Sequence, residues 1–234
     1  KARARVSSRP PTHRGAHDAP TAITAKSNAS GKRHTACQRA GATRLLQMSA
    51  LNAGRGRSHY LRTRGAAEAA VQASDLRWTI FRPSVIFGRG DGLFCRFAEL
   101  LKLSPLMPLA GADARFQPVA VEDVAEAFAR ALTRRDSIGQ IYELGGPEVV
   151  TLAEIVRRTA HWMGVRRLVL PMPSAIGWMQ AAAFGMWPLA NKPLSLDNFR
   201  SLSVDSVVGA DDGLARLGID KTAMVRVRAG ISYA

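Results

Sequence analysis

Apolar and polar positions change rhythm several times between residues 35 and 165. RLLQMSA (44–50) is a short apolar run of strand length, and LNAGRGR breaks it with a glycine-rich loop. HYLRTRGAAEAAVQAS (59–74) then predicts an alanine-rich helix, despite Gly65, with Ser58 placed to cap it. RWTIFRPSVIFG (77–88) is a β-branched and aromatic strand ended by Pro83, Gly88 and Gly90. PVAVEDVAEAFARAL (118–132) reads as a strand end feeding a helix, and GQIYELGG (139–146) as another strand. TLAEIVRRTAHWMG (151–164) opens with Thr151 and Glu154 in capping-box positions and closes at Gly164. ACQRAGA (36–42) reads as a helix end with Gly41 as its stop. Helix and strand alternating in this way predict an α/β fold with a parallel sheet and crossover helices.

Two stretches escape this rhythm. Residues 1–34 have neither period nor many large apolar side chains, and are expected to lack regular structure. Residues 168–190 carry no charge over 23 positions, but Pro171, Pro173 and Pro188 interrupt them. The remaining helix of about 14 residues is too short to span a bilayer core of about 30 Å. A buried or partner-facing helix is the expectation there, with peripheral membrane contact through Trp178 and Trp187 as the alternative.

Charge sharpens the division. Residues 1–64 hold 14 Lys/Arg against one acid, Asp18, while the other 170 residues hold 19 bases and 17 acids. The overall +15 therefore belongs to one end. A nucleic-acid arm is one reading of such an end. It is weakened by a single aromatic, Tyr60, and by the lack of zinc spacing in residues 1–64. Cys37 and Cys95 have no metal-ligand spacing and are too few for a disulfide framework, so no metal site is expected and a reducing cytoplasm suits them. The sequence opens on Lys1 with no apolar segment of signal-peptide type behind it, and reads as a fragment's start.

Three elements converge on one sheet edge. Ser49 ends the strand RLLQMS, at the edge where doubly wound sheets bind ligands. Tyr60 and Arg64 lie one turn apart on the following helix, and FRPSVIFG ends the next strand beside them. Hydride transfer to a carbonyl needs such a set: a phenol to exchange the proton, a hydroxyl to orient the oxygen, and a cation near the phenol. Each residue alone has a plain structural reading. Ser49 can bond its own backbone at a strand end, and Tyr60 can be a half-buried helix aromatic.

Taken in order, RLLQMSAL, SHYLRTRGAAEAAV, WTIFRPSVIFGRGD, ARFQPVAVEDVAEAF and YELGGPEVVTLAEIV resemble the extended or atypical short-chain dehydrogenase/reductase superfamily. Within it they are most similar to bacterial homologues of the NAD(P)-binding accessory subunit of respiratory complex I; PLSLDNFRSLSVDSV and LGID extend the likeness to residue 222. The resemblance implies a truncated Rossmann-like doubly wound parallel sheet with a smaller α/β C-terminal lobe. Residues 35–88 and 117–145 would form the sheet domain, and 89–116 and 146–234 the lobe. It also implies that Ser49 matches the substrate-orienting serine, Tyr60 the catalytic tyrosine, and Arg64 the position usually held by lysine. Arg82, Pro83, Ser84 and Val85 match the segment that meets the nicotinamide of NAD or NADP, and Glu122, Asp123 and Val124 a structural turn.

Two departures set the functional expectation. Arginine keeps a positive charge but is planar and forked, so it does not replace lysine at a ribose. The family's glycine-rich phosphate turn is expected well before residue 35, where Gly15 and Gly31 sit in basic, non-periodic sequence. Weak or absent cofactor binding follows. The leading expectation is a complex I accessory-subunit-like homologue, with a dinucleotide, an unknown small molecule, complex I and a membrane surface as the implied partners. Its expected location is cytoplasmic or at the inner face of the cytoplasmic membrane. The alternatives are an active epimerase or carbonyl reductase, and a nucleic-acid module acting through the basic end.

Overall fold

The computed structural model describes residues 22–26, 40–173 and 196–224. In chain order these form β1 (Ala22–Lys26), β2 (Arg44–Met48), α1 (His59–Gln72), β3 (Arg77–Pro83), β4 (Ile86–Phe87), α2 (Phe94–Leu103), β5 (Leu106–Ala110), β6 (Arg115–Phe116), β7 (Val119–Ala120), α3 (Val121–Thr133), β8 (Gln140–Leu144), β9 (Val150–Thr151), α4 (Leu152–Trp162), β10 (Leu168–Met172), α5 (Leu196–Ser201) and α6 (Gly213–Arg216).

The main sheet runs β1-β2-β3-β8, parallel throughout. Leu46 pairs with Thr79, and Ile80 with Ile141. Its central strands are apolar on both faces because both faces are covered. Leu45 and Ile80 pack with Val71 of α1 in one cluster, whereas Leu46, Phe81 and Leu144 pack with Val124, Ala127 and Ala131 of α3 in another. Phe81 stacks on Phe128 with ring centres 4.2 Å apart.

A third cluster lies around α2 and α4, where Phe94 and Trp162 stack at 5.9 Å and Leu101 and Ile155 are fully buried. Asp91 caps α2 from outside, its Oδ1 accepting from the amides of Leu93 and Phe94. Its other oxygen is buried without a partner, and burial pushes its carboxyl up, against the pull of those amides. Asp123, in the EDV turn at the start of α3, binds the amide and hydroxyl of Thr222 at 2.8 and 2.6 Å, a structural tie.

One sequence expectation changes. Residues 1–34 were expected to lack regular structure, yet Ala22–Lys26 pairs along the whole of β2. AITAK is too short and too plain to announce a strand; the ladder with β2 supplies what its own pattern lacks. The helix of about 14 residues expected between Pro173 and Pro188 lies outside the described residues; ahead of it, Leu168–Met172 is a strand pairing in parallel with β5, Leu168 opposite Leu106. Val169 turns inward while Leu168 and Leu170 face out, a two-residue alternation hidden in an uncharged run. The expected helix end at 36–39, the rest of the uncharged run from residue 174 to 190, and residues 1–21 lie outside the described residues.

Arg44 is buried in the sheet, and among the described residues no carboxylate pairs with it. Its guanidinium donates to Arg77 O at 2.6 Å, Thr79 Oγ1 at 2.7 Å, Ala131 O at 3.0 Å and Ser137 Oγ at 2.8 Å. Thr79 Oγ1 in turn donates to Ser137 O. Burial, followed by the nearby charge of Arg77, holds the Arg44 pKa below its ordinary value.

Candidate functional site

The strand tips are held side by side by hydrogen bonds that continue past the strands. Ser49 N donates to Phe81 O at 2.7 Å, Leu51 N to Pro83 O at 2.9 Å, and Ser84 N to Leu144 O at 2.9 Å. Helix α1 rises beside these tips, started by Ser58 Oγ accepting from Leu61 N at 3.0 Å. Gly65 lets it sit close: a Cβ there would lie 2.4 Å from the Cα of Gly54, in the loop after β2. The glycine that looked costly in the helix is required by that contact.

The result is a cavity of about 390 Å³ at the carboxyl ends of β2 and β3, where open parallel sheets offer a crevice. Ser49, Tyr60, Arg64, Pro83, Ser84 and Val85 all line it. Arg82 does not. Its side chain makes hydrogen bonds to both carboxylate oxygens of Glu68 on α1, the shorter at 2.5 Å, and lies 3.9 Å from Glu143. The Glu68 hydrogen bond raises its pKa further. Glu68 explains the difference, since it draws the Arg82 side chain onto α1 and away from the strand tip. Any contact of Arg82 with a nucleotide would come from its backbone.

Within the cavity the polar groups are unevenly satisfied. Ser84 Oγ donates to Ser206 O at 2.7 Å. Ser49 is 3% exposed, and its Oγ has no partner. Arg64 lies with its guanidinium carbon 4.8 Å from the centre of the Tyr60 ring, while its Nη1 donates to Met48 O at 3.3 Å. Arg64 Nε is buried and unpartnered. Buried polar groups normally find partners, so Ser49 Oγ and Arg64 Nε are available to a bound molecule or water.

Sequence patterning did not reveal the outer wall. Ser201, Val204 and Ser206 close the cavity from the far end of the chain. Gln117 N donates to Ser206 O at 3.0 Å, and Asn52 Nδ2 to Asp205 O at 2.8 Å, fixing that segment over the strand tips. Asp197 of α5 accepts from His59 N at 2.5 Å and Tyr60 N at 3.0 Å, supplying the carboxylate that the first turn of α1 lacks. Only the run of Asp and Ser in LDNFRSLSVDS hinted at a capping or lining role.

A second cavity of about 500 Å³ adjoins the first, sharing Tyr60, Phe116 and Ser201. Among the described residues no group of His, Cys, Asp or Glu could hold a metal ion, and no helix is long and apolar enough to cross a membrane.

The fold is Rossmann-like. Residues 14–98 match a family model described as NAD(P)H-binding, a span that starts inside the basic segment and takes in β1. The NADH dehydrogenase [ubiquinone] 1 alpha subcomplex subunit 9 of Arabidopsis thaliana mitochondria is 34% identical over 192 residues, covering 77% of this chain and 47% of the relative. Ceramide reductase of Caulobacter vibrioides is 31% identical over 159 residues, covering 66% of this chain and 50% of that protein. An NADPH-dependent quinone oxidoreductase of Escherichia coli, solved with NADPH, superposes with a TM-score of 0.68 at 16% identity, over 89% of this chain and 75% of that one. The last likeness shows the fold. By these matches the chain is similar to NAD(P)H-binding proteins and to subunit 9 of the mitochondrial NADH dehydrogenase [ubiquinone] 1 alpha subcomplex. It spans about half the length of the curated relatives it matches.

Proposed function

We propose that this chain forms the nicotinamide-facing part of a dinucleotide site in an accessory-type subunit, and holds NAD or NADP loosely without rapid turnover. The observation that carries this reading is the position of Arg64. Its guanidinium stacks on Tyr60 and is tied to the Met48 carbonyl, where a lysine ammonium would be free to meet ribose hydroxyls. The remaining features suit the nicotinamide end: Ser49 Oγ is unpartnered, and Pro83, Ser84 and Val85 supply a wall. A dinucleotide when bound would supply the hydride; Ser49 would orient a carbonyl oxygen, and Tyr60 would exchange its proton.

Much of the affinity of a dinucleotide comes from amide groups and a helix N-terminus at its pyrophosphate. No glycine-rich strand–turn–helix of that kind occurs among the described residues. Titration of the full chain with NADPH, followed by nucleotide fluorescence, should give a dissociation constant weaker than about 10 μM, corresponding to less than about 7 kcal/mol of binding. Low-micromolar or tighter binding with enhanced fluorescence would overturn the loose-holding reading.

A second surface supports assembly or membrane contact. Leu103, Leu106, Leu168 and Leu170 are exposed, at 82%, 43%, 59% and 40%, where β5 pairs with β10 at the end of α2. Lys102 and Arg166 are exposed nearby in sequence, and the uncharged run continues from β10. An apolar patch rimmed by cations suits either an acidic subunit surface or anionic lipid. Cosedimentation with anionic and neutral vesicles, compared for the wild type and Leu168→Ser/Leu170→Ser, tests the lipid form of this reading.

A further inference from the structure

The second cavity is built unlike the first. Leu93, Phe97, Leu100, Phe116, Leu152 and Leu202 make most of its wall. Among the described residues, Arg96 is the only cation lining it and Asp197 the only carboxylate. The N-terminus of α1 opens nearby and could in principle hold a phosphate. It is already taken, because the Asp197 carboxylate accepts from the amides of both His59 and Tyr60. A sugar nucleotide placed here would set its diphosphate against that carboxylate and bury its hydroxyls among leucines.

We propose that the ligand of this cleft is a carbonyl compound with an extended alkyl tail, its oxygen at Ser49 and Tyr60 in the first cavity and its tail in the second. The geometry points to this because the cavities meet at Tyr60, Phe116 and Ser201, so one molecule can occupy both. The unpartnered, buried Ser49 Oγ offers the head a hydrogen bond that the tail cavity does not. Chain length, not phosphate, then determines affinity. Placing the oxygen at Ser49 rests on the reading of the first cavity as the carbonyl-facing end of a dinucleotide site.

Binding of 2-butanone, 2-hexanone, 2-octanone and 2-decanone to the full chain, measured by ligand-observed NMR, tests the proposal. Each added methylene should tighten binding about threefold to fourfold until the cavity is filled. Leu100→Trp narrows the cavity from α2. Gly92→Phe provides a second variant, since Gly92 also lines the cavity and a Cβ there meets nothing within 4 Å. Both should flatten the series while leaving 2-butanone unchanged. A flat wild-type series, an equal slope in either folded variant, or UDP-glucose binding more tightly than 2-decanone would overturn the proposal. An NADPH titration of the same samples tests the nucleotide reading separately. Nucleotide binding with a flat ketone series removes only the tail site, and a steep series without nucleotide binding removes only the nucleotide reading.

Discussion

The guanidinium carbon of Arg64 lies 4.8 Å from the ring centre of Tyr60, one helical turn away, and the same side chain reaches the carbonyl of Met48. Arg64→Lys breaks both contacts and frees a compact ammonium. The expected cost in stability is about 0.5–1 kcal/mol, the usual value of an exposed cation–π contact. NADPH affinity should rise in the same variant. Any carbonyl reduction gained should vanish in Arg64→Lys/Tyr60→Phe. If neither affinity nor activity responds to Arg64→Lys, Tyr60 and Arg64 are ordinary helix residues in a scaffold.

Asp197 caps a helix 138 residues earlier in the chain, at His59 N. Asp197→Ala should cost about 1 kcal/mol, as cap removal does elsewhere. Hydrogen exchange should quicken at the amides of His59 and Tyr60 before it changes in β2 or β3. Equal protection of those two amides in the variant would show that the carboxylate contributes nothing.

Gly65→Ala sets helix preference against packing. Alanine favours a helix interior by about 1 kcal/mol over glycine. Its methyl group would sit 2.4 Å from Gly54 Cα and 2.6 Å from Gly54 N, so α1 must move away from the loop. Overpacking of this kind costs about 1–3 kcal/mol, and a net loss of stability is expected in urea denaturation. A more stable variant would mean that the loop gives way freely.

Legibility in the sequence follows the range of the contacts. β2, α1, β3, β8 and the capping box at Thr151 and Glu154 can be read locally, because cap, period and terminating residue lie within one segment. Ser49, Tyr60 and Arg64 could be grouped because a strand end and the next helix in a parallel sheet meet at one edge. The rest depends on distant partners. β1 exists through its ladder with β2, and β10 through pairing with β5 some 62 residues before it. Asp197 and Ser206 reach the site from beyond residue 195, and no pattern near Tyr60 announces them. Motif order grouped Arg82 with Pro83, Ser84 and Val85, but its side chain goes to Glu68 and does not line the cavity.

Asp91 and Glu154 cap helices in opposite electrostatic settings. Burial raises the Asp91 carboxyl, so its folded form resists ionising, and stability should fall as pH rises from the ordinary carboxylate range through the folded value. Asp91→Asn keeps an acceptor for the amides of α2 and should melt higher than the wild type at neutral pH, with the gap closing at low pH. Glu154 is held below its ordinary value by the Thr151 amide and hydroxyl. Its contribution is present above the unfolded carboxylate value and lost as pH falls through the folded one. Glu154→Gln should therefore differ most from the wild type at neutral pH, in the destabilising direction. Thermal melts of both variants from about pH 2.5 to about pH 7.5, which brackets the ordinary carboxylate values on both sides, check the two signs together.

Arg44 has a consequence for how the sheet is assembled. Its guanidinium is satisfied by groups 33, 35, 87 and 93 residues further along the chain. A form with β2 and β3 joined, but α3 and Ser137 not yet in place, holds a cation under apolar cover with half its hydrogen-bond acceptors missing. Such a form is disfavoured by the cost of unpaired buried polar groups, about 1–3 kcal/mol each and more for charged ones. The two sides of the sheet therefore gain or lose their structure together, and one buried arginine makes half-folded forms of this domain scarce.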